Sequence, residues 1–127
     1  MTEKCYEVMR FLNIDHLADV KAANLPYGDQ RRLEIARALV SDPKLILLDE
    51  PAAGMNLSEK DALAETILKI RERGHTVFLV EHHMKLVTSV CDRICVLDHG
   101  SKIAEGTPGE IQTDPEVIRA DLGGVGV

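Results

Sequence analysis

Tryptophan is absent from this chain of 127 residues, and aromatic residues make up only 3% of it. Nucleic-acid bases are gripped by aromatic platforms, so single-strand binding of that kind is not expected. Positive charge is also in short supply: 15 basic residues face 21 acidic ones, for a net charge of −6. Residues 98–127 carry much of the imbalance, with six acids against two bases. A chain of this balance has no basic face for nucleic acid. The three cysteines are too few for a disulfide framework, and no CxxC pair suggests zinc. All three are expected to be reduced, with Cys91 and Cys95 as small buried apolar residues. No apolar run approaches the ~20 residues that span a bilayer, and charges interrupt the opening MTEKCYEVMR, so it is no secretory signal. A soluble cytoplasmic protein is expected.

What is present is a globular mixture, 45% apolar and 28% charged, in a length that suits one domain with a real core. Residues 3–12 read as a helix with Tyr6, Met9 and Phe11 as partial apolar faces. Residues 13–24 read as irregular, or as a short helix around His16–Val20. Pro26-Tyr27-Gly28 punctuates the chain. A helix follows over 28–41, with Leu33, Ala36, Leu39 and Val40 at helical spacing. Asp42-Pro43 ends it, because the residue before proline is pushed out of the α region.

Lys44–Leu48 predicts a strand. Its unbroken Leu45-Ile46-Leu47-Leu48 run is the pattern of a parallel strand covered on both faces. Residues 58–73 predict a helix, with a capping box at Ser58 and Asp61. Its core stripe is Leu63, Ile67 and Ile70, and Gly74 suits the C′ position. Thr76–Val80 is a second buried strand, 83–91 a helix, and Arg93–Leu97 a third strand. A His99-Gly100 turn leads to a strand at Ser101–Glu105. Short helices are expected at Thr107–Ile111 and Pro115–Ala120, and the tail from Gly123 should fray. Strands alternating with helices predict an α/β parallel sheet. Ligands of such sheets bind beyond the carboxyl ends of the strands.

Asp49 and Glu50 follow the first strand. One carboxylate can hold Mg²⁺, usually through water, and the next can orient a water for attack on phosphorus. Taken alone, the pair also suits a plain polar strand end. Glu81, His82 and His83 follow the second strand, where a histidine could reach a phosphate oxygen. They equally suit a solvated helix start. Adjacent histidines outside an HExxH string do not suggest zinc. Upstream, the glycine of Leu25-Pro26-Tyr27-Gly28-Asp29-Gln30-Arg31-Arg32 opens a helix whose positive end can meet an anion. A simple turn would look the same.

In order along the chain, these three features resemble the ATPase domain of ABC transporters. Leu25–Arg32 is similar to the signature loop, and Leu45–Glu50 to the Walker B strand with its following glutamate. Ala53-Gly54-Met55-Asn56 stands where the D-loop would be, and His82 where the switch histidine would be. Glu34–Leu39, Asp42-Pro43, Cys91–Ile94 and Lys102–Pro108 add to the likeness. Tyr27, the Pro51–Asn56 run, Glu81–Lys85 and the Pro115–Gly123 ending resemble the ATPase subunits of branched-chain amino-acid importers.

The resemblance implies a partial P-loop NTPase (ABC ATPase) domain of α/β class, mostly parallel sheet flanked by helices. The end of the helical signature subdomain would occupy about 1–42. The Walker B to switch-histidine core would occupy 43–106, and C-terminal helices and tail 107–127. It implies ATP and Mg²⁺ as cofactors, with Asp49 on the metal through water and Glu50 and His82 as catalytic residues. Leu25, Pro26, Tyr27, Gly28 and Asp29 would face the ATP of a partner subunit, beside a D-loop of Ala53, Gly54, Met55 and Asn56. The implied partners are a second ABC ATPase subunit (homo- or heterodimer), membrane permease subunits and, indirectly, a substrate-binding protein, with no nucleic acid. The implied location is peripheral, on the cytoplasmic face of the inner or plasma membrane.

The sequence also departs from the family pattern. GxxxxGK[ST], which cradles the β- and γ-phosphates, does not occur in it. Pro26 stands where serine is usual, which removes a hydroxyl and an N–H. Asp29 stands where a neutral polar residue is usual, and Asn56 replaces the common D-loop aspartate. The expectation is the C-terminal half of a nucleotide-binding domain, inactive by itself. Three functions are consistent with it: an ATP-hydrolysing subunit of a branched-chain amino-acid importer, a non-catalytic half-domain docking on a full ABC ATPase or permease, or an ABC ATPase outside transport. Subfamily likeness and the lack of coiled-coil heptads disfavour the last.

Overall fold

The computed structural model describes residues 3–12, 14–18, 21 and 26–125, with side chains through Ala120. The chain divides into two compact units, Met1–Glu81 and His82–Val127.

In the first unit, helix α1 (Glu3–Phe11) buries Val8 and Met9, and a 3-10 turn follows at Asp15–Leu17. Helix α2 (Tyr27–Val40) packs on α1 and buries Ile35, Ala36 and Leu39. Leu33 and Val40 of the expected stripe are only half-buried. Strand β1 (Leu45–Asp49), helix α3 (Leu57–Glu72) and strand β2 (Thr76–Val80) form a β–α–β unit. β1 and β2 pair in parallel, with Leu45 opposite Thr76 and Asp49 opposite Val80. Parallel neighbours need a crossover of this kind. α3 packs on β2 through a stripe that buries Leu63, Ile67 and Ile70, as its periodicity predicts.

The start of α3 differs from the sequence reading. Asn56, not Ser58, is the N-cap: its side-chain oxygen accepts from the Glu59 N–H at 2.8 Å, and the Asn56 N–H donates to the Glu59 carboxylate at 3.2 Å. Both residue types cap well, but only Asn56 has a glutamate three positions on, which completes the reciprocal pair. At the other end Gly74 has φ +97, the left-handed conformation that glycine adopts without penalty. The buried His75 then shares a ring hydrogen bond with the Pro43 carbonyl, and the Thr76 N–H donates to Lys44 O at 2.8 Å. These bonds start the two strands in register.

β1 is not covered on both faces. Ile46 and Leu48 are buried, whereas Leu45 is exposed and Leu47 is 69% exposed. On β2, Phe78, opposite Leu47, is 59% exposed, and Val80, opposite Asp49, is exposed as well. One face of this parallel pair therefore carries four large apolar side chains in solvent. Parallel strands normally have both faces covered.

The second unit holds α4 (Met84–Val90), β3 (Ile94–Asp98), β4 (Ser101–Gly106), α5 (Pro108–Gln112) and α6 (Pro115–Val125). The third strand does not extend the parallel sheet among the described residues: β3 pairs antiparallel with β4, with an irregularity between Val96 and Leu97. The hairpin turn is His99-Gly100, with φ +49 and +81. Two successive positive φ values match the twist of a tight hairpin. Ile94, Ile111 and Val117 form the core, with Met84, Val87, Cys91, Val96 and Ala104 against it. α5 starts with the Thr107–Glu110 capping box and Pro108 in its first turn. None of the cysteines is in a disulfide, and Cys91 is half-buried and Cys95 exposed rather than buried, because Cys95 lies on the outer face of β3. α6 is helical to Val125, through Gly123 and Gly124, and the last two residues of the tail expected to fray lie outside the described residues.

Candidate nucleotide-facing site

Asp49 is the last residue of β1, at the carboxyl end of the parallel pair, and is exposed. The ladder runs one residue further, because the Glu50 N–H donates to the Val80 carbonyl at 2.7 Å. Glu50 then turns the chain with φ +46. Asp42 and His99 also have positive φ, but aspartate and histidine are enriched in that conformation and glutamate is not. A left-handed glutamate costs roughly 1–2 kcal/mol, and such outliers cluster at functional positions. Glu50 is exposed at this turn.

The turn after Glu50 is pinned from inside and outside. The Ala53 N–H donates to Glu50 O and the Met55 N–H to Ala52 O, both at 3.1 Å. Ala52 is fully buried, and its N–H donates to the Glu81 carboxylate at 3.1 Å. Sequence reading placed Glu81 after β2 but gave it no such role. The signal was available, because parallel pairing of Asp49 with Val80 makes the residues after the two strands neighbours.

From the other side, the Tyr27 hydroxyl donates to the Ala53 carbonyl at 2.7 Å. Its ring lies on Gly54, where a Cβ would sit 3.4 Å from the ring edge, and Gly54 has φ +78. Arg31 donates to the same hydroxyl oxygen from Nε at 3.0 Å and from Nη2 at 2.7 Å, and pairs with Glu34 at 3.2 Å. The bond to Tyr27 holds the Arg31 pKa above its ordinary value. In sequence alone a basic residue on a helix face reads as solvated, and only the structure shows the bonds of Arg31 to the Tyr27 hydroxyl oxygen.

Pro26 is the N-cap of α2, with φ −56, and offers no side-chain cap; its carbonyl accepts from the Gln30 N–H at 3.0 Å. Asp29 sits in the first turn, where negative charge suits the helix dipole, and pairs with Arg32 at 3.6 Å. A Cβ on Gly28 would lie 3.1 Å from the Glu59 carboxylate, so the starts of α2 and α3 approach closely. The cavity beside Gly28, Met55 and Glu59 holds about 40 Å³. Small-molecule pockets run to roughly 300–1,000 Å³, so the site is a surface, not an enclosure.

Of the residues singled out in the sequence, the structure brings Tyr27 together with Ala53 and Gly54, and Gly28 with the Asn56–Glu59 cap. Leu25 lies outside the described residues. His82 belongs to the second unit; it is exposed, with its ring centroid 4.3 Å from that of His83, the N-cap of α4. Among the described residues no helix is long and apolar enough to cross a membrane.

Known proteins resemble this chain in sequence and fold. Residues 1–53 match the family described as ABC transporter, and residues 101–125 the family described as branched-chain amino acid ATP-binding cassette transporter. The high-affinity branched-chain amino acid transport ATP-binding protein LivG of Salmonella typhimurium is 52% identical over 107 residues, which cover 84% of this chain and 42% of LivG. BraF of Pseudomonas aeruginosa, of the same description, is 49% identical over 113 residues, 88% of this chain and 44% of BraF. The chain thus spans less than half the length of these relatives. A crystal structure of the ADP conformation of an ATP-binding cassette of an ABC transporter superposes with a TM-score of 0.87 at 33% identity, covering 95% of this chain and 49% of that one. The chain belongs to the ABC transporter ATP-binding family, and within it resembles the branched-chain amino-acid ATP-binding proteins.

Proposed function

We propose that this chain supplies the later catalytic elements of an ATP-binding subunit in an ABC importer, with branched-chain amino acids as the transported class. The observation that carries this reading is the end of β1: two exposed carboxylates, Asp49 and Glu50, at the carboxyl edge of a parallel pair, with Glu50 held in a strained left-handed conformation. The names of relatives suggest the amino-acid class.

In this reading residues to about 42 form the signature region, 43–106 the core from β1 to His82 and the hairpin, and 107–127 the closing helices. Asp49 offers hard oxygen donors at an open strand end, which fit Mg²⁺ with its retained waters. The ion neutralises phosphate charge when bound. Glu50 orients the attacking water, and His82 donates to a phosphate oxygen. The Leu25–Asp29 segment faces ATP held by a second subunit, with the backbone N–H groups of Tyr27, Gly28 and Asp29 at the start of α2 available to its phosphates, beside the Ala53–Asn56 turn. Partners are that second subunit and membrane permeases on the cytoplasmic face.

The exposed face of Leu45, Leu47, Phe78 and Val80 favours a second reading, a half-domain that docks on another polypeptide. Both readings require apolar surface from elsewhere on β1 and β2.

The deciding experiment joins this chain to the GxxxxGK[ST]-bearing half of a relative and measures phosphate release. The first reading expects Mg²⁺-dependent hydrolysis that Glu50→Gln abolishes, with none from the chain alone. A stable, fully bound pair without hydrolysis would leave the docking reading.

A further inference from the structure

Tyr27 lies in the segment that resembles a nucleotide-facing loop, yet its hydroxyl is already used. A phenol has one hydrogen to donate and two lone pairs to accept with. The hydrogen goes to the Ala53 carbonyl, and the lone pairs take the Nε and Nη2 donors of Arg31. The ring covers Gly54, and the Arg31 guanidinium lies 5.2 Å from the ring centroid. Tyr27 and Ala53 are 26 residues apart, so this contact is a direct link between the start of α2 and the turn that begins at Glu50.

We propose that Tyr27, oriented by Arg31, is a positioning residue that couples the start of α2 to the Glu50–Met55 turn, so that displacement of one moves the other. This rests on the proposed function only in naming the two segments as nucleotide-facing. The turn's own bonds, Ala53 N–H to Glu50 O and Met55 N–H to Ala52 O, bracket the carbonyl that Tyr27 holds. A phosphate drawing the α2 start outward would pull on Ala53 and, through the Ala53–Glu50 bond, on the backbone that aims the catalytic carboxylate. The hydroxyl therefore acts on the reaction through Glu50 and touches no nucleotide itself.

Amide hydrogen exchange, read residue by residue in the full chain, tests the link without nucleotide. Tyr27→Phe keeps the ring on Gly54 and removes the hydroxyl. Exchange at Ala53 and Met55 is expected to rise roughly three- to tenfold, as for loss of one hydrogen bond, while Leu63–Ile70 amides stay unchanged. A uniform rise across the chain, or none at Ala53 and Met55, overturns the proposal. Should Tyr27→Phe fail to fold, Arg31→Gln is the second variant. It removes the two donors that orient the hydroxyl and is expected to raise the same two amides about twofold; an unchanged turn in that folded variant is equally fatal. In an assembly of this chain that hydrolyses ATP, Tyr27→Phe is expected to lower kcat roughly three- to tenfold with KM for ATP unchanged, and an unaltered kcat refutes the positioning role. If no assembly hydrolyses ATP, the proposed function falls, and the exchange result still decides the coupling.

Discussion

The Glu50 amide reaches the Val80 carbonyl at 2.7 Å, so β1 is hydrogen-bonded past its last regular residue before Glu50 breaks away with φ +46. The strand fixes the backbone on one side of Glu50, and the bond from Ala53 N–H to Glu50 O fixes it on the other. The left-handed conformation is thus imposed from both sides. Glu50→Gly relieves it. Glycine adds an unfolded-state entropy cost of roughly 0.5–1 kcal/mol, set against a relieved strain of roughly 1–2 kcal/mol. The variant is expected to be as stable as wild type or up to about 1 kcal/mol more so, by chemical denaturation. Marked destabilisation would mean that the carboxylate itself holds the fold together.

Much of this architecture was legible locally. The Asp42-Pro43 stop, the Gly74 end of α3 and the His99-Gly100 turn are each set by neighbours in sequence, and the structure has all three. What was not legible depends on distant partners. The Leu45–Leu48 run reads the same whether one face is covered or two, because the cover is not in the run. Asp49 and Glu50 stand at the carboxyl end of β1, where the pattern of the run places them. The roles of Arg31 and Glu81 depend on bonds across 4 and 29 residues to atoms without a sequence signature, a hydroxyl oxygen and a backbone N–H.

Adjacent leucines of β1 are expected to behave in opposite ways. Leu48 is buried, and Leu48→Ala is expected to cost about 2–4 kcal/mol of stability. Leu47 points into solvent, and Leu47→Lys is expected to change stability by less than about 0.5 kcal/mol. The same lysine places charge in the apolar face shared with Leu45, Phe78 and Val80, and such faces drive association. Sedimentation velocity is expected to show concentration-dependent self-association of the wild-type chain, weakened about tenfold by Leu47→Lys. Equal association of both proteins would locate the contact elsewhere.

The cap of α3 gives a second discriminating pair. Asn56→Ala removes the acceptor for the Glu59 N–H and is expected to cost about 1 kcal/mol. Ser58→Ala, inside the first turn and exposed, is expected to be neutral within about 0.5 kcal/mol. Urea denaturation midpoints of the two variants measure the difference directly. The reverse ranking would return the cap to Ser58.

Acid is expected to loosen the start of α5. The Thr107 backbone N–H, and then its hydroxyl, hold the Glu110 carboxyl below the ordinary glutamate value. A carboxylate with a lowered folded value stabilises fully above the ordinary value, and loses that stabilisation as pH falls through the lower one. The amide signals of Thr107 and Glu110 are therefore expected to move in step with acidification below the ordinary glutamate range. In Glu110→Gln they are expected to stay flat. Movement persisting in that variant would assign the titration to another group.

Pro26 presents a trade that the isolated chain and an active assembly should read differently. As N-cap of α2 it has φ −56 and no side-chain acceptor for the helix N–H groups. Pro26→Ser supplies that acceptor, worth about 1 kcal/mol, and gives back roughly 0.4–1 kcal/mol through a freer unfolded chain. The stability of the chain alone is thus expected to shift by less than about 1 kcal/mol. The new hydroxyl and N–H matter more where the α2 start meets ATP of a second subunit, since hydrogen bonds to charged groups are worth roughly 1.5–3 kcal/mol. In the joined protein, under conditions that permit dimers, turnover is expected to rise roughly tenfold for each ~1.4 kcal/mol recovered. ATP affinity of the monomer is expected to stay unchanged, because there the loop faces no nucleotide. Steady-state ATPase rates beside nucleotide titrations of the monomer separate these effects. Equal rates for the wild-type and Pro26→Ser proteins would mean that Gly28 and the helix end alone make the contact.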